Sequence, residues 1–137
     1  MRYRTLSALC LTAFVALALV PSIVLAGDPA GEGTKFYKEY RAAFAKAKSI
    51  DEILPFMAKE RVAQVQQTPK EDRAKMFEMI KMMDVKDVKI TKETKTPTGF
   101  TLEATGTGGL GDGPTKGTIT IVREDGKLKI DKESWKS

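Results

Sequence analysis

The stretch GTITIVREDGKLKI, residues 117–130, decides the fold class of this 137-residue chain. Apolar and polar residues alternate on both sides of Asp125-Gly126, and this period of two is typical of strands with one buried face. Asp-Gly favours a two-residue hairpin turn, which places Ile121 opposite Ile130. Both strands then present their apolar side chains on the same face, so the sequence predicts an antiparallel hairpin.

Two further strands are predicted upstream of this hairpin. Val88 and Ile90 alternate with polar residues, as do the apolar residues from Phe100 to Ala104. A three-residue loop Pro97-Thr98-Gly99, with Gly99 in the left-handed conformation, brings the apolar faces of these two strands onto one side. The sequence therefore predicts about four antiparallel strands with a shared apolar face.

The chain upstream of the strands has helical periodicity. Phe36, Tyr40 and Phe44 share one face of a first helix. Later helices are indicated by the capping box Ser49-Ile50-Asp51-Glu52, by the composition of residues 59–67, and by Thr68-Pro69-Lys70-Glu71, which has proline at the first position of a helix that runs to about Met83. We predict an α+β fold in which N-terminal helices pack on a curved C-terminal antiparallel sheet.

Residues 1–26 have the features of a signal peptide. Arg2 and Arg4 precede an apolar run from residue 6 to residue 20, and Pro21-Ser22 interrupts that run before a cleavage site near Ala26. The run is almost long enough for an uncleaved membrane anchor, but the proline and the small residue at the end favour cleavage. We predict a signal peptide at 1–26, a flexible leader at 27–33 and a single domain at 34–137. The domain is then exported to the periplasm or the medium, with no stable membrane anchor after cleavage.

The composition excludes several classes of chemistry. The chain has no histidine, so it lacks the commonest general base near neutral pH and the commonest metal ligand. Its one cysteine, Cys10, lies in the predicted signal peptide, so the exported chain can form no disulfide. The net charge of +5 falls to +3 when Arg2 and Arg4 leave with the signal peptide, and lysines alternate with acids rather than forming a basic block. The sequence therefore predicts no nucleic-acid partner and no cofactor.

The order of elements and the end of the chain carry a resemblance. Helices followed by strands, with Asp125-Gly126-Lys127-Leu128-Lys129-Ile130 and a late Trp135, resemble small exported members of the nuclear-transport-factor-2-like superfamily. This superfamily has the cystatin-like cone fold and includes SnoaL-like and ketosteroid-isomerase-like proteins. The resemblance covers about residues 34–135 and implies a cone-type fold. Its enzymes place an acid, a histidine or a tyrosine among the inward strand positions, whereas here those positions are apolar, with Arg123 and Lys132 only at strand ends. The sequence therefore predicts no catalytic residue.

These features favour an exported, non-catalytic binding or accessory domain for a small apolar ligand or an envelope protein partner. The candidate ligand-binding residues are Tyr40, Phe100, Leu102, Ile121 and Arg123. The alternative is a cone-fold enzyme of isomerase or hydrolase type that uses Tyr40 with a carboxylate such as Glu39 or Asp51.

A glycine-rich segment, residues 106–111, matches the spacing of a dinucleotide fingerprint. A strand follows it rather than the helix that a pyrophosphate site needs, so it is interpreted as a long loop at the rim of the sheet. Its candidate contact residues are Gly108, Gly109, Leu110 and Asp112.

Four methionines, Met76, Met79, Met82 and Met83, lie close together in the last predicted helix. Thioethers are soft ligands that suit Cu(I). Met76, Met79 and Met83 share a face with Ile80, which favours a role in the core, where methionine fills irregular gaps. The sequence thus predicts no metal site, and a methionine-based Cu(I) site is a minor alternative.

The strand and helix patterns together predict the core. Its members should form one contiguous cluster, because the inward strand positions face the helix that is best placed to cover them. The cluster contains Phe77, Ile80, Phe100, Leu102, Ile121 and Ile130.

Overall fold

The computed structural model describes residues 31–109, 111 and 113–136. The predicted signal peptide and most of the predicted leader lie outside these residues. The helices are α1 (Glu32–Lys46), α2 (Lys59–Gln67) and α3 (Lys70–Met82), with two short 3₁₀ turns, Ile50–Glu52 and Leu54–Phe56, between α1 and α2. The strands are β1 (Val85–Thr96), β2 (Gly99–Gly108), β3 (Pro114–Glu124) and β4 (Lys127–Lys136).

The strands form one antiparallel sheet in the order β1-β2-β3-β4, and all described helices precede it in the chain. Each strand pairs with the next one along the chain, as short hairpin connections require. The predicted α+β class and the four-stranded antiparallel sheet are therefore confirmed. Within the described part of the chain, each helix is too short or too polar to cross a membrane.

The core lies between the sheet and the helices. Tyr37, Tyr40 and Phe44 project from α1 onto the inward side chains of the strands. Five of the six residues predicted to form one cluster are buried in it, and Ile80 is partly buried against its edge. The predicted cluster is confirmed as a single contiguous core, which also contains Ala47, Ile50, Ile53, Met57, Ile90, Ala104 and Ile119.

The β3–β4 hairpin has the predicted two-residue turn. Asp125 and Gly126 have φ values of 50° and 77°, the left-handed values that a type I′ turn requires at both central positions. Ile121 pairs with Ile130, and both side chains are fully buried. The register predicted from the alternation is therefore confirmed up to Ile130.

The β1–β2 turn differs from the prediction. Thr96 pairs with Gly99, so the loop has two residues, Pro97 and Thr98, and the three-residue loop is wrong. The apolar faces still match because a bulge between Ile90 and Lys92 inserts one residue into β1. An extra residue in a strand moves the side chains beyond it to the opposite face of the sheet, and an extra residue in the turn would have had the same effect.

Gly99 is needed for a different reason from the one predicted. The left-handed glycines of the described chain are Gly108, Gly109 and Gly126, so the predicted left-handed conformation of Gly99 is wrong. A Cβ atom at Gly99 would overlap the backbone carbonyl oxygen of Ile121 on the neighbouring strand. The close approach of β2 to β3 therefore requires a glycine at this position.

The helix ends differ from the sequence prediction in detail. The capping box starting at Ser49 begins a 3₁₀ turn rather than an α-helix, and the Ser49 hydroxyl caps no described N–H group. Ile53 separates this turn from the second one, and Pro55, which lacks an N–H, lies at the start of the second turn, where no N–H is needed. Thr68 ends α2 instead of capping α3, and Pro69 holds the cap position. At its own start, α1 begins at Glu32, so the last two residues of the predicted leader are helical.

The methionines of α3 face solvent, apart from Met76. Met79, Met82 and Met83 are 53%, 78% and 40% exposed, so the prediction that Met79 and Met83 belong to the core is wrong. The buried residue of α3 is Phe77. Since a helix turns by roughly 100° per residue, positions 79, 82 and 83 lie on the side away from Phe77.

Candidate functional site

The predicted apolar contact residues are part of the packed core. Phe100, Leu102 and Ile121 are at most 7% exposed, and Tyr40 is 4% exposed. These four side chains line none of the grooves described below. The fifth candidate, Arg123, lies near the surface and donates hydrogen bonds to Glu32 Oε1 at 2.6 Å and to the Gly126 carbonyl at 3.2 Å.

The predicted rim loop is shorter than the sequence suggested. Residues 106–108 belong to β2, so the connection to β3 covers only residues 109–113. Gly108 has a left-handed φ of 84° and its N–H donates to the Gly113 carbonyl at 3.3 Å, which closes the turn. Gly109 follows with a φ of 87°. The other two rim candidates, Leu110 and Asp112, lie outside the described residues.

An acid lies on the inward face of the sheet. β4 carries one extra residue, Asp131, between the Ile121–Ile130 pair and the next pair, and this bulge turns Glu133 toward α1. The Tyr37 hydroxyl donates to Glu133 Oε1 at 2.8 Å, and the Tyr40 hydroxyl donates to Oε2 at 3.4 Å. The prediction that the inward strand positions hold no acid is wrong here. It assumed that inward and outward side chains alternate regularly past Ile130, whereas the extra residue exchanges the two faces from that point on.

Burial controls the ionisation of both tyrosines. Desolvation raises the pKa of the Tyr37 hydroxyl far above its ordinary value, and the nearby negative charge of Glu133 raises it further. The same two causes, in the same order, raise the pKa of the Tyr40 hydroxyl. Both groups are therefore neutral hydrogen-bond donors at neutral pH. Their hydrogen bonds hold the Glu133 side chain of β4 against α1.

Because these tyrosines ionise in the unfolded chain before they ionise in the folded one, we expect the fold to weaken above about pH 10. The contribution is fully present below that pH and falls by roughly 1.4 kcal/mol per pH unit for each tyrosine. An alkaline titration followed by tyrosinate absorbance and by circular dichroism should show Tyr37 and Tyr40 ionising together with unfolding. Ionisation of both near pH 10 with the secondary structure retained would contradict the arrangement.

Next to Glu133 is a small polar groove of about 320 Å³. One guanidinium nitrogen of Arg61, Nη1, is buried in this region without a hydrogen-bond partner among the described residues. The groove is lined by Glu60, Arg61, Gln64, Asp131, Lys132 and Glu133.

The enzyme alternative pairs Tyr40 with a carboxylate such as Glu39 or Asp51. In the structure the carboxylate that Tyr40 contacts is Glu133, while Asp51 lies 3.5 Å from Arg73 and Glu39 is exposed.

A larger groove of about 500 Å³, the hairpin groove, lies between α2 and the β3–β4 turn. The Ala58 N–H donates to the Ile130 carbonyl at 2.9 Å, which attaches the start of α2 to β4 and fixes the two walls. The apolar lining consists of Leu54, Met57, Val62 and Ala63. The polar rim consists of Lys59, Gln66, Glu124, Asp125, Lys127 and Lys129.

Lys59 contacts both acids of the rim. Its Nζ lies 2.8 Å from Asp125 Oδ2, and its backbone N–H donates to Glu124 Oε2 at 3.0 Å. The hydrogen bond and the charge of Lys59 lower the pKa of the Asp125 carboxyl below its ordinary value. Lys129 Nζ donates to the neutral Pro55 carbonyl at 2.5 Å, and its charge also lowers the pKa of the Asp125 carboxyl. With three lysines and two acids the rim carries a net charge of +1, and Lys127 and Lys129 form its basic side.

A third groove, of about 430 Å³, lies on the other side of the Leu54–Phe56 turn from the hairpin groove. It shares Lys127 and Lys129 with the hairpin groove, and its apolar lining includes Phe36, Phe56 and Leu128. The predicted candidate Arg123 also borders it. The two grooves place apolar surface on both sides of the same two lysines.

Comparison of the chain with protein-family models, with curated proteins and with solved structures finds no match. The resemblance to the nuclear-transport-factor-2-like superfamily therefore stays a prediction. The described residues contain no group of three or more His, Cys, Asp or Glu side chains able to hold a metal ion. What the geometry offers is an apolar groove with a basic rim and, beside it, a buried tyrosine–glutamate cluster.

Proposed function

We propose that this chain is an exported, non-catalytic binding domain and that the hairpin groove holds the apolar part of a small ligand. The observation that carries the proposal is the apolar lining of this groove beneath a rim whose three lysines outnumber its two acids. Its volume of about 500 Å³ lies in the range of ordinary small-molecule sites. An anionic group at one end of the ligand suits Lys127 and Lys129.

The packing of the sheet favours the hairpin groove as the location of the ligand site. The inward strand residues that the sequence favoured as contacts, such as Leu102 and Ile121, are fully buried by α1 and by one another. A ligand at that position would have to displace core side chains, whereas the hairpin groove is open to solvent. The enzyme alternative meets the same obstacle, since a substrate would have to reach the buried Tyr40 hydroxyl.

Two parts of the proposal rest on the sequence. Export rests on the signal-peptide features of residues 1–26, and the cone-type arrangement rests on the resemblance of element order and of the final hairpin. An envelope protein with an apolar anionic segment is the other occupant consistent with the same lining.

The proposal is tested with dodecanoate, which combines an apolar chain and a carboxylate. We expect dodecanoate to raise the melting temperature and to bind in calorimetry, and we expect dodecyltrimethylammonium, with the same chain and the opposite charge, to bind at least tenfold more weakly. Ala63→Glu places an acid in the groove from an exposed position and should reduce dodecanoate affinity at least tenfold.

Ala74→Glu is the matched control, because it makes the same change at an exposed position of α3 outside the groove. Its dodecanoate affinity should equal that of the natural chain. The proposal fails if dodecanoate does not bind, or if Ala63→Glu and Ala74→Glu bind it equally well.

A further inference from the structure

The exposed large apolar side chains of the described residues are all methionines at the end of α3. Met79, Met82 and Met83 are 53%, 78% and 40% exposed. A role in the core would explain methionine at these positions, but the structure places the core on the opposite side of the helix, at Phe77. The exposed cluster therefore needs another explanation.

The spacing of the methionines makes them neighbours on the surface of α3. Met76, Met82 and Met83 lie three or four residues from Met79, and such positions are neighbours on a helix surface with Cβ atoms roughly 5–6 Å apart. Methionine has three rotatable bonds, so these side chains can turn their sulfur atoms toward a common point. Met79 is the centre of this methionine cluster.

The chemistry of the cluster selects a soft monovalent ion. Thioethers are neutral at every pH and are soft ligands that suit Cu(I), whereas carboxylates and imidazoles suit harder divalent ions. The chain has no histidine. A thioether-only cluster therefore offers little to Zn²⁺ or Mg²⁺.

The electrostatic surroundings are compatible with a cation. Met79 and Met82 lie in the last turn of α3 and Met83 directly follows it, where the partial negative charge of the helix C-terminus favours positive ions. Lys75 and Glu78, both exposed, lie four residues before Met79 and Met82, so one charge of each sign borders the cluster. Lys81 points elsewhere: its Nζ donates to the Ala45 carbonyl at 3.2 Å and lies 5.1 Å from the centre of the Phe44 ring. Its charge is thus directed toward α1.

We propose that Met79, together with Met76, Met82 and Met83, forms a surface site for Cu(I). The site is independent of the hairpin groove, whose lining contains none of these four residues. No electron transfer is involved, because the ion binds and leaves in the same oxidation state.

The experiment uses Ag(I), a soft ion of the same charge that is stable in air, and repeats the key titrations with Cu(I) under anaerobic conditions. The full chain carries Cys10→Ser, because the thiol would compete with thioethers. With methionine methyl groups labelled for NMR, we expect one equivalent of Ag(I) to shift the resonances of the four cluster methionines and to leave Met57, which is buried, unchanged.

Met79→Leu should lower the affinity for both ions at least tenfold with an unchanged melting temperature, since the side chain is exposed. Met57→Leu is the matched control and should bind as the parent chain does. Equal affinity in Met79→Leu and its parent would overturn the proposal, as would an Ag(I) shift spread over all methionines or the absence of binding. Failure of dodecanoate binding would leave this result unaffected.

Discussion

Replacement of Ile121 by alanine is expected to lower the free energy of unfolding by roughly 2–5 kcal/mol. Ile121 is fully buried and pairs with Phe100 on one side and Ile130 on the other, so truncation leaves a cavity at the centre of the sheet. The chain has a single cysteine and so no internal disulfide to limit the loss. Urea denaturation with a common m value would measure the difference.

Val122→Ala is the matched control for this substitution. Val122 is the next residue of β3, is only half-buried and faces away from the core, so its truncation should cost less than about 1 kcal/mol. From the sequence we also predict that Leu110→Ala costs at most about 0.5 kcal/mol, although Leu110 lies outside the described residues. If Val122→Ala proved as destabilising as Ile121→Ala, the register of β3 would be wrong.

Most of the fold could be predicted because two local signals are strong in this sequence. Asp125-Gly126 determines a two-residue turn, and a two-residue turn between alternating strands leaves one register that buries both apolar faces. The helical period before residue 84 and the period of two after it then give the α+β class. These signals depend on a few neighbouring residues, so they can be interpreted without knowing how the rest of the chain packs.

The bulges could not be predicted, and they decide which polar residues face the core. The two-residue β1–β2 turn places Glu93 opposite Leu102, and the bulge in β1 then keeps Ile90 on the same face; one extra residue in β4 places Glu133 opposite Ile119. A bulge is favoured by contacts on the neighbouring strands and helices, and after Ile130 the sequence of β4 has no alternation of apolar residues from which the shift could be inferred. The tyrosine–glutamate cluster is therefore visible only when α1 is placed against the sheet.

The grooves could not be predicted for a related reason. Leu54, Met57 and Val62 are apolar residues that periodicity assigns to helices, but a groove is the space that remains between packed elements. The distance between α2 and the β3–β4 turn depends on the Ala58–Ile130 hydrogen bond, which joins segments far apart in the chain. The predicted ligand-binding residues of the strands are apolar and point inward, and these same two properties place them in the core.

Glu93 is the residue through which the sheet caps α1. The cap position of this helix is Gly31, which has no side chain to accept a hydrogen bond. Glu93 Oε2 instead accepts from the Thr34 N–H at 2.8 Å and from the Thr34 hydroxyl at 2.6 Å, and Oε1 accepts from the Gly33 N–H at 3.3 Å. Its negative charge also lies at the end of the helix where the macrodipole favours an anion.

Removal of this contact is expected to be nearly as costly as the cavity at Ile121. Glu93→Ala leaves the N–H and the hydroxyl of Thr34, a residue only 1% exposed, without their acceptor, and a buried donor that loses its partner costs about 1–3 kcal/mol. We therefore expect a loss of roughly 2–4 kcal/mol in the free energy of unfolding, together with faster hydrogen exchange at the start of α1. Glu93→Gln keeps the shape and one acceptor oxygen, so it should lose less.

Glu103→Ala on β2 is the matched control for Glu93→Ala. Glu103 is exposed and lies 3.5 Å from Lys92, and an exposed ion pair of this kind contributes at most about 1 kcal/mol. Its removal should leave hydrogen exchange in α1 unchanged, because Glu103 faces the opposite side of the sheet from the helix. Equal losses for Glu93→Ala and Glu103→Ala would mean that Glu93 points to solvent and that the two-residue turn at Pro97-Thr98 does not set the register of β1.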